Sequence, residues 1–374
     1  MSDIGASRGQ FCPGDRVEAV VFYTCAGSAK LFPTMPSSIF TTRLVVPALA
    51  ALACMLLLAT AVPAASDVSV YQATVPLKGN TEADRSAAFG EALKSAAVRA
   101  SGRRDAGSNA TIVAAASDTT RYVQQYSTTS DRMLKVGFDA KAMDRLLQQA
   151  GLPVWPLERP VTQVLLVTAS VAGGARAIVE GERAAERAEV ERAARDRGLP
   201  ISWPRVTVGA AAVSAIVSGG AAGAPASAGS QPVLAGVATG AGVSWRFVQP
   251  GQTATAAGTV QDGVNLAADS LAARFAPPST RGISSITVRV GGMDGVRAYA
   301  GLLEYLKSLS LVRNVEVEEM ADGVVTLRLA VRGDLDLLRR IAAMDDRLQS
   351  GNPRGAEDGG SEEGPTAVDF TFTP

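Results

Sequence analysis

Residues 285–341 read SITVRVGGMDGVRAYAGLLEYLKSLSLVRNVEVEEMADGVVTLRLAVRGDLDLLRRI. Ile286, Val288 and Val290 alternate with Ser285, Thr287 and Arg289, the period of a strand with one apolar face. Gly291-Gly292 turns the chain. Val296, Tyr299, Leu302, Leu303, Leu306 and Leu309 then recur at helical spacing. Val315 and Val317 alternate with Glu316 and Glu318, and Asp322-Gly323 is a hairpin signal. Val325, Leu327, Leu329 and Val331 alternate again, and Asp334 caps a helix carrying Leu335, Leu338 and Ile341. The order is β-α-β-β-α. After an acidic, Gly-rich linker (350–366), Val368, Phe370 and Phe372 alternate with Asp369 and Thr371. That tail supplies the last strand of a ferredoxin-like βαββαβ module over 280–349 plus 367–373.

Working toward the N-terminus, residues 67–160 repeat the same order. A strand is expected over Val68–Val75. A helix opens at Thr81, with Asp84 three residues on, and closes at Ser101-Gly102. A short helix follows over Ala110–Ser117. A hairpin pairs Arg121–Ser127 with Arg132–Phe138, and a helix over Ala140–Ala150 ends at Gly151 before Pro153. A ferredoxin-like βαββα module therefore stands at each end of the folded chain.

The middle region, 161–276, reads differently. Val161–Ala169 is a nearly continuous apolar strand, as expected when both faces are covered. A helix over Arg176–Arg197 and a strand over Leu199–Trp203 complete an α/β unit with parallel pairing. Residues 205–232 are a low-complexity loop rich in Ala, Gly and Ser. Strands over Val233–Ala238, Val243–Val248 and Thr253–Val260 follow. A helix over Gly263–Phe275 stops before Pro277-Pro278. Gly173-Gly174 lacks the spacing of a dinucleotide fingerprint and the lysine of a phosphate loop, so no nucleotide is expected.

The 19-residue apolar run Leu44–Val62 follows Arg43 and ends in Pro63-Ala64-Ala65. Basic residue, oily stretch and small-residue exit make a signal peptide over 35–65. The alternative is an uncleaved anchor of residues 44–62 in the inner membrane. Met35 leaves a compact leader, so Met35 rather than Met1 reads as the start and 1–34 as an extension. Cys12, Cys25 and Cys54 all precede the cleavage point, which leaves an exported body without thiols.

Composition narrows the chemistry. The chain has 374 residues, 36 basic against 36 acidic, and no histidine. That excludes Ser-His-Asp and Cys-His nucleophiles and zinc sites built on imidazole. A neutral balance lacks the basic excess of a nucleic-acid footprint. No catalytic, cofactor-binding or metal-ligating residue is assigned, and no cofactor. Tyr122, Gln124, Gln125, Tyr126 and Trp155 are candidate contacts for a ligand or partner, since aromatic faces and amides suit a glycan or a peptide. The plainer reading puts the tyrosines on the core and Trp155 over the preceding helix.

The early strand and helix, Arg121-Tyr122-Val123-Gln124-Gln125-Tyr126, Val136-Gly137-Phe138-Asp139, Leu146-Leu147 and Gly151-Leu152-Pro153-Val154-Trp155 before Arg159-Pro160 resemble the DUF2066 family of bacterial secreted proteins. The resemblance implies an envelope location and carries no catalytic residues. It also implies that the middle module is similar to a flavodoxin-like or TolB-N-terminal-like α/β domain. The expected function is an exported, periplasmic cell-envelope accessory protein acting as a non-catalytic protein-interaction module. Its partners are envelope proteins, not nucleic acid or nucleotide. The runner-up is a periplasmic binding protein for cell-wall glycan or peptide. A carboxylate-based hydrolase stands third.

Overall fold

The Thr81 hydroxyl accepts from the Asp84 amide at 3.1 Å, and the Asp84 carboxylate accepts from the Thr81 amide at 3.2 Å. This capping box opens α1 (Glu82–Ser101), which closes on Gly102 at φ 71°. A left-handed residue there lets the chain leave the helix while its amide still bonds Val98. In a computed structural model, the described residues are 70–169, 175–182, 185–219, 231–279, 282–345, 347–350 and 368–373. The leader over 35–65, the extension 1–34 with Met35, the three cysteines, Gly173-Gly174 and the linker 351–366 lie outside them. Among the described residues the fold is mixed α+β, with three sheets and eight helices.

In the first region, β1 (Gln72–Pro76), α1, a 3-10 turn (Arg104–Ser108), α2 (Ala110–Ala116), β2 (Val123–Thr128), β3 (Met133–Phe138) and α3 (Ala140–Gln149) follow in order. The strand expected from Val68 begins at Gln72. The sheet order is β1-β3-β2, antiparallel throughout. Ala73, Val75, Leu134, Val136 and Phe138 share a core with Leu93 and Ala96 of α1 and Met143, Leu146 and Leu147 of α3.

The middle region contains β4 (Thr162–Ala169), β5 (Ala175–Ala177), α4 (Ala185–Arg197), β6 (Ile201–Ser202), α5 (Ala210–Ser218), β7 (Val233–Thr239), β8 (Gly242–Gln249), β9 (Gln252–Gly258) and α6 (Val260–Phe275). β4 runs parallel to β6 and β7, while β5 and the β7-β8-β9 meander pair antiparallel. Both faces of β4 are covered: Val164 and Leu166 enter one core, Leu165 and Val167 another.

Three expectations change here. The helix read from Arg176 starts at Ala185, because Ala175–Ala177 pairs with the end of β4 instead. Edge pairing satisfies backbone groups that the charge-rich sequence pattern does not report. Within the supposed loop 205–232, Ala210–Ser218 is helical and buries Val213 and Ile216. Alanine's helix propensity outweighs the low complexity once two apolar side chains reach the sheet; residues 220–230 lie outside the described residues. Finally, α6 starts at Val260 rather than Gly263, because Thr259 and Asp262 form a second capping box. Gly236 and Gly263 flank the Trp245 indole so closely that a β-carbon on either would overlap it.

The C-terminal region holds β10 (Ile283–Gly291), α7 (Val296–Ser308), β11 (Val312–Ala321), β12 (Val324–Arg332), α8 (Leu335–Ala342), β13 (Leu348–Ser350) and β14 (Val368–Phe372). The order is β11-β12-β10-β14-β13. The tail is a strand, with Phe370 and Phe372 buried. It runs parallel to β10 and antiparallel to β13, a strand absent from the sequence reading. A ferredoxin unit's last strand runs antiparallel to its first; here β13 takes the outer place and β14 slots between. Three consecutive strands at one end of the sheet, β10-β12-β11, keep the order of β1-β3-β2.

The alternation of Val315 and Val317 promises a covered face on β11. Instead Val317 is 45% and Met320 52% exposed. β11 is the terminal strand of its sheet. Val312 and Val315 still reach the core, while Val317 and Met320 sit at the margin, beyond the helical cover.

Candidate functional site

The five candidate contact residues do not converge. Tyr122 is buried in the first region's core, and Trp155 belongs to the core shared by the middle and C-terminal regions. Gln124, Gln125 and Tyr126 lie exposed on β2. Pairing on β2 slips between Val123 and Gln125, so the strict alternation breaks. Tyr126 ends at the open edge, edge-on to Phe89 with ring centroids 5.1 Å apart. Gln125 crosses Gly137 on the outer face.

Trp155 is a lid, and what it covers is a cation. The Arg159 guanidinium stacks 3.9 Å from the indole centroid. It donates to the carbonyls of Gly198 (2.6 Å), Arg99 (2.9 Å) and Pro156 (3.1 Å). Gly198 and Arg99 lie at the C-terminal ends of α4 and α1, where helix dipoles concentrate negative potential. Burial pushes Arg159 down to about 9, so it remains charged at neutral pH. Arg99 donates to the Gln72 carbonyl and to Ser95. Arg197 reaches Asp269 (2.7 Å), Asn265 (2.8 Å) and the Gly102 carbonyl (2.7 Å). Three buried arginines thus join β1, two helix ends, the connecting segment and α6. They hold structure, since their hydrogen bonds run to the chain's own carbonyls and to the side chains of Ser95, Asn265 and Asp269.

An open cleft of about 230 Å³ lies where the first region, the segment after Trp155 and the C-terminal sheet meet. Tyr71, Lys141, Asp144, Leu157, Leu311, Arg313 and Arg332 are in its lining. Asp144 accepts from the Tyr71 hydroxyl (2.8 Å) on Oδ1, and from Arg313 (3.0 Å) and Arg332 (3.1 Å) on Oδ2. Burial, then the Asp144 charge and hydrogen bond, push the Tyr71 phenol well above its ordinary value. On the other wall, Glu158 accepts from the Ser310 amide (2.7 Å) and hydroxyl (2.6 Å). Asp144 serves both guanidiniums and Glu158 is engaged by Ser310, so Arg313, Arg332 and Lys141 leave this part of the cleft with a small cationic excess. The sequence reading missed Asp144, Arg313 and Arg332: each is one ordinary surface charge among others on its element, and only the docking of α3 on the C-terminal sheet brings them together.

With that geometry established, comparison places the first region. Residues 64–156 match the family described as Domain of unknown function (DUF8605). The match covers well under half of the chain. It overturns the resemblance to DUF2066, a different domain. The block that carried that resemblance, a helix end running into Gly151-Leu152-Pro153-Val154-Trp155, follows from local physics that unrelated chains share. Gly151 takes φ 69° at the helix exit, Pro153 prevents continuation and Trp155 anchors the next segment. No curated protein and no solved structure matches the chain. Among the described residues, no helix is long and apolar enough to cross a membrane, and no group of three His, Cys, Asp or Glu side chains is placed to hold a metal ion.

Proposed function

We propose that this chain is an exported, periplasmic accessory protein of the cell envelope that works as a non-catalytic protein-interaction module, docking partners on its sheet edges. The observation that carries the reading is β11: ten residues long, terminal in its sheet, with exposed Val317 and Met320. An open edge offers unpaired amides and carbonyls to an added strand, and exposed alternating side chains give it selectivity. β2, with Tyr126 at 59% exposure, is a second open edge. We read the C-terminal region as a ferredoxin-like module with an inserted parallel strand. We read the first region as its three-stranded relative, and the middle region as a flavodoxin-like or TolB-N-terminal-like domain with half its sheet turned antiparallel. The export part rests on the Leu44–Val62 run.

A photo-crosslinking side chain at position 317 or 320, in cells, tests the docking. Discrete adducts from these two positions and none from 206, an exposed site elsewhere, are expected. Indistinguishable patterns from all three would remove the reading. N-terminal sequencing tests export. A chain that retains Phe11 or Phe22 would contradict Met35 as the start and cleavage of the leader.

A further inference from the structure

The cationic cleft and the open edge are parts of one surface. β11 begins beside the cleft, since Leu311 and Arg313 line it, and runs away toward the Asp322-Gly323 turn. Arg313 is placed by a bulge: Val312 pairs with Val331 and Asn314 with Ala330, leaving Arg313 as the extra residue. A bulge re-aims a side chain that regular pleating would commit to one face. Here it sends the guanidinium to Asp144, next to Arg332 from the end of β12. Arg313 and Arg332 each give Asp144 one nitrogen of a five-donor fork.

An added strand antiparallel to β11 ends where β11 begins. Its last residue therefore arrives at Arg313, Arg332 and Lys141, with Leu157 and Leu311 as the apolar wall. Along the edge, Val315, Val317 and Met320 pair with the buried Leu329, Leu327 and Val325, so they share the helix-side face. Glu316, Glu318 and Glu319 give the same strand an acidic character. Three glutamates disfavour a second copy of β11, because like charges face each other in edge-to-edge pairing. They favour a strand carrying lysine or arginine.

Building on the proposed edge docking, we infer that β11 and the Asp144 cleft together take the free C-terminus of a basic, extended peptide, laid antiparallel to β11 with its terminal carboxylate on Arg313, Arg332 and Lys141. Strand addition and terminal-carboxylate capture are both established recognition modes, and each is supplied here by a different part of the surface.

The test is calorimetric titration of the full chain with acetyl-Lys-Val-Lys-Val-Lys-Val-Leu, as the free acid and as the C-terminal amide. The free acid is expected to bind at least about tenfold more tightly, as loss of a charge-assisted hydrogen-bond pair implies. Val317→Lys should weaken both forms, whereas Lys141→Gln should weaken only the acid. Lys141 is not bonded to Asp144, so its loss leaves the Arg-Asp cluster intact. Equal binding of acid and amide, both lost in Val317→Lys, would overturn the carboxylate capture and leave edge docking in place. If neither peptide binds while position 317 still gives photo-adducts, the inferred ligand is wrong and the interaction reading stands. If peptide binding and adducts are both missing, both fall.

Discussion

Replacing Arg159 separates what its charge contributes from what its hydrogen bonds contribute. Arg159→Met keeps a long apolar stem against Trp155 and removes every donor. Three carbonyls, of Gly198, Arg99 and Pro156, then lose their partner. A hydrogen bond from a charged donor is worth about 1.5–3 kcal/mol net, and a desolvated cation-π contact about 2 kcal/mol. Against this, burying a guanidinium whose partners are carbonyls rather than a carboxylate costs several kcal/mol, which the methionine recovers. The balance predicts a net loss of about 2–4 kcal/mol. Arg159→Lys keeps the desolvation cost, yet one ammonium cannot span three carbonyls and stack on the indole, so it should lose about 3–5 kcal/mol. Urea unfolding followed by tryptophan fluorescence gives both values. Lysine is expected to be the worse substitution. A methionine variant as stable as the parent, or a lysine variant more stable than the methionine one, would refute the view that the guanidinium bonds hold the α1 and α4 ends together.

Three further outcomes follow from single sites. Gly102→Ala puts a β-carbon at φ 71°, 2.5 Å from the Ala272 Cβ and 2.8 Å from Trp155 Cε3. Left-handed strain and overpacking predict a loss of about 2–4 kcal/mol in denaturant unfolding, and a change under about 0.5 would mean that the contact relaxes freely. Asp144→Asn leaves Arg332, only 17% exposed, beside Arg313 without a counter-charge. About 1–3 kcal/mol should be lost, with faster hydrogen exchange in α3; unchanged exchange would argue that the cluster does not tie the first region to the C-terminal sheet.

Acid titration supplies the third. Asp84 is held below its ordinary value of 3.8 by the Thr81 hydroxyl and amide, and Asp262 by the Thr259 amide and hydroxyl. A depressed folded-state value means that their contribution is complete above 3.8 and is lost as pH falls through the lower values. Carboxyl NMR should find both midpoints below 3.8, and Asp262→Asn should reduce the acid sensitivity of α6. Midpoints at or above 3.8 would show that the capping boxes do not form in solution.

The sequence by itself determined the local elements whose causes are local. The Thr81/Asp84 box, the Gly102 and Gly151 exits, the Asp322-Gly323 turn and the alternating Val325–Val331 strand were legible because a few adjacent residues fix each of them. The Phe370/Phe372 tail was legible for the same reason. Tertiary structure alone decided the rest. Ala175–Ala177 became a strand, and Ala210–Ser218 a helix, because each had a neighbour to pair or pack with, and periodicity does not report neighbours. β14 entered the sheet parallel to β10 because β13 took the outer place. The burial of Trp155 over Arg159, the exposure of Val317 on a terminal strand, and the meeting of Asp144 with Arg313 and Arg332 depend on residues far apart in the chain. Spacing along a sequence encodes which face a side chain occupies. It does not encode what that face meets, and the candidate surface of this protein is made of such meetings.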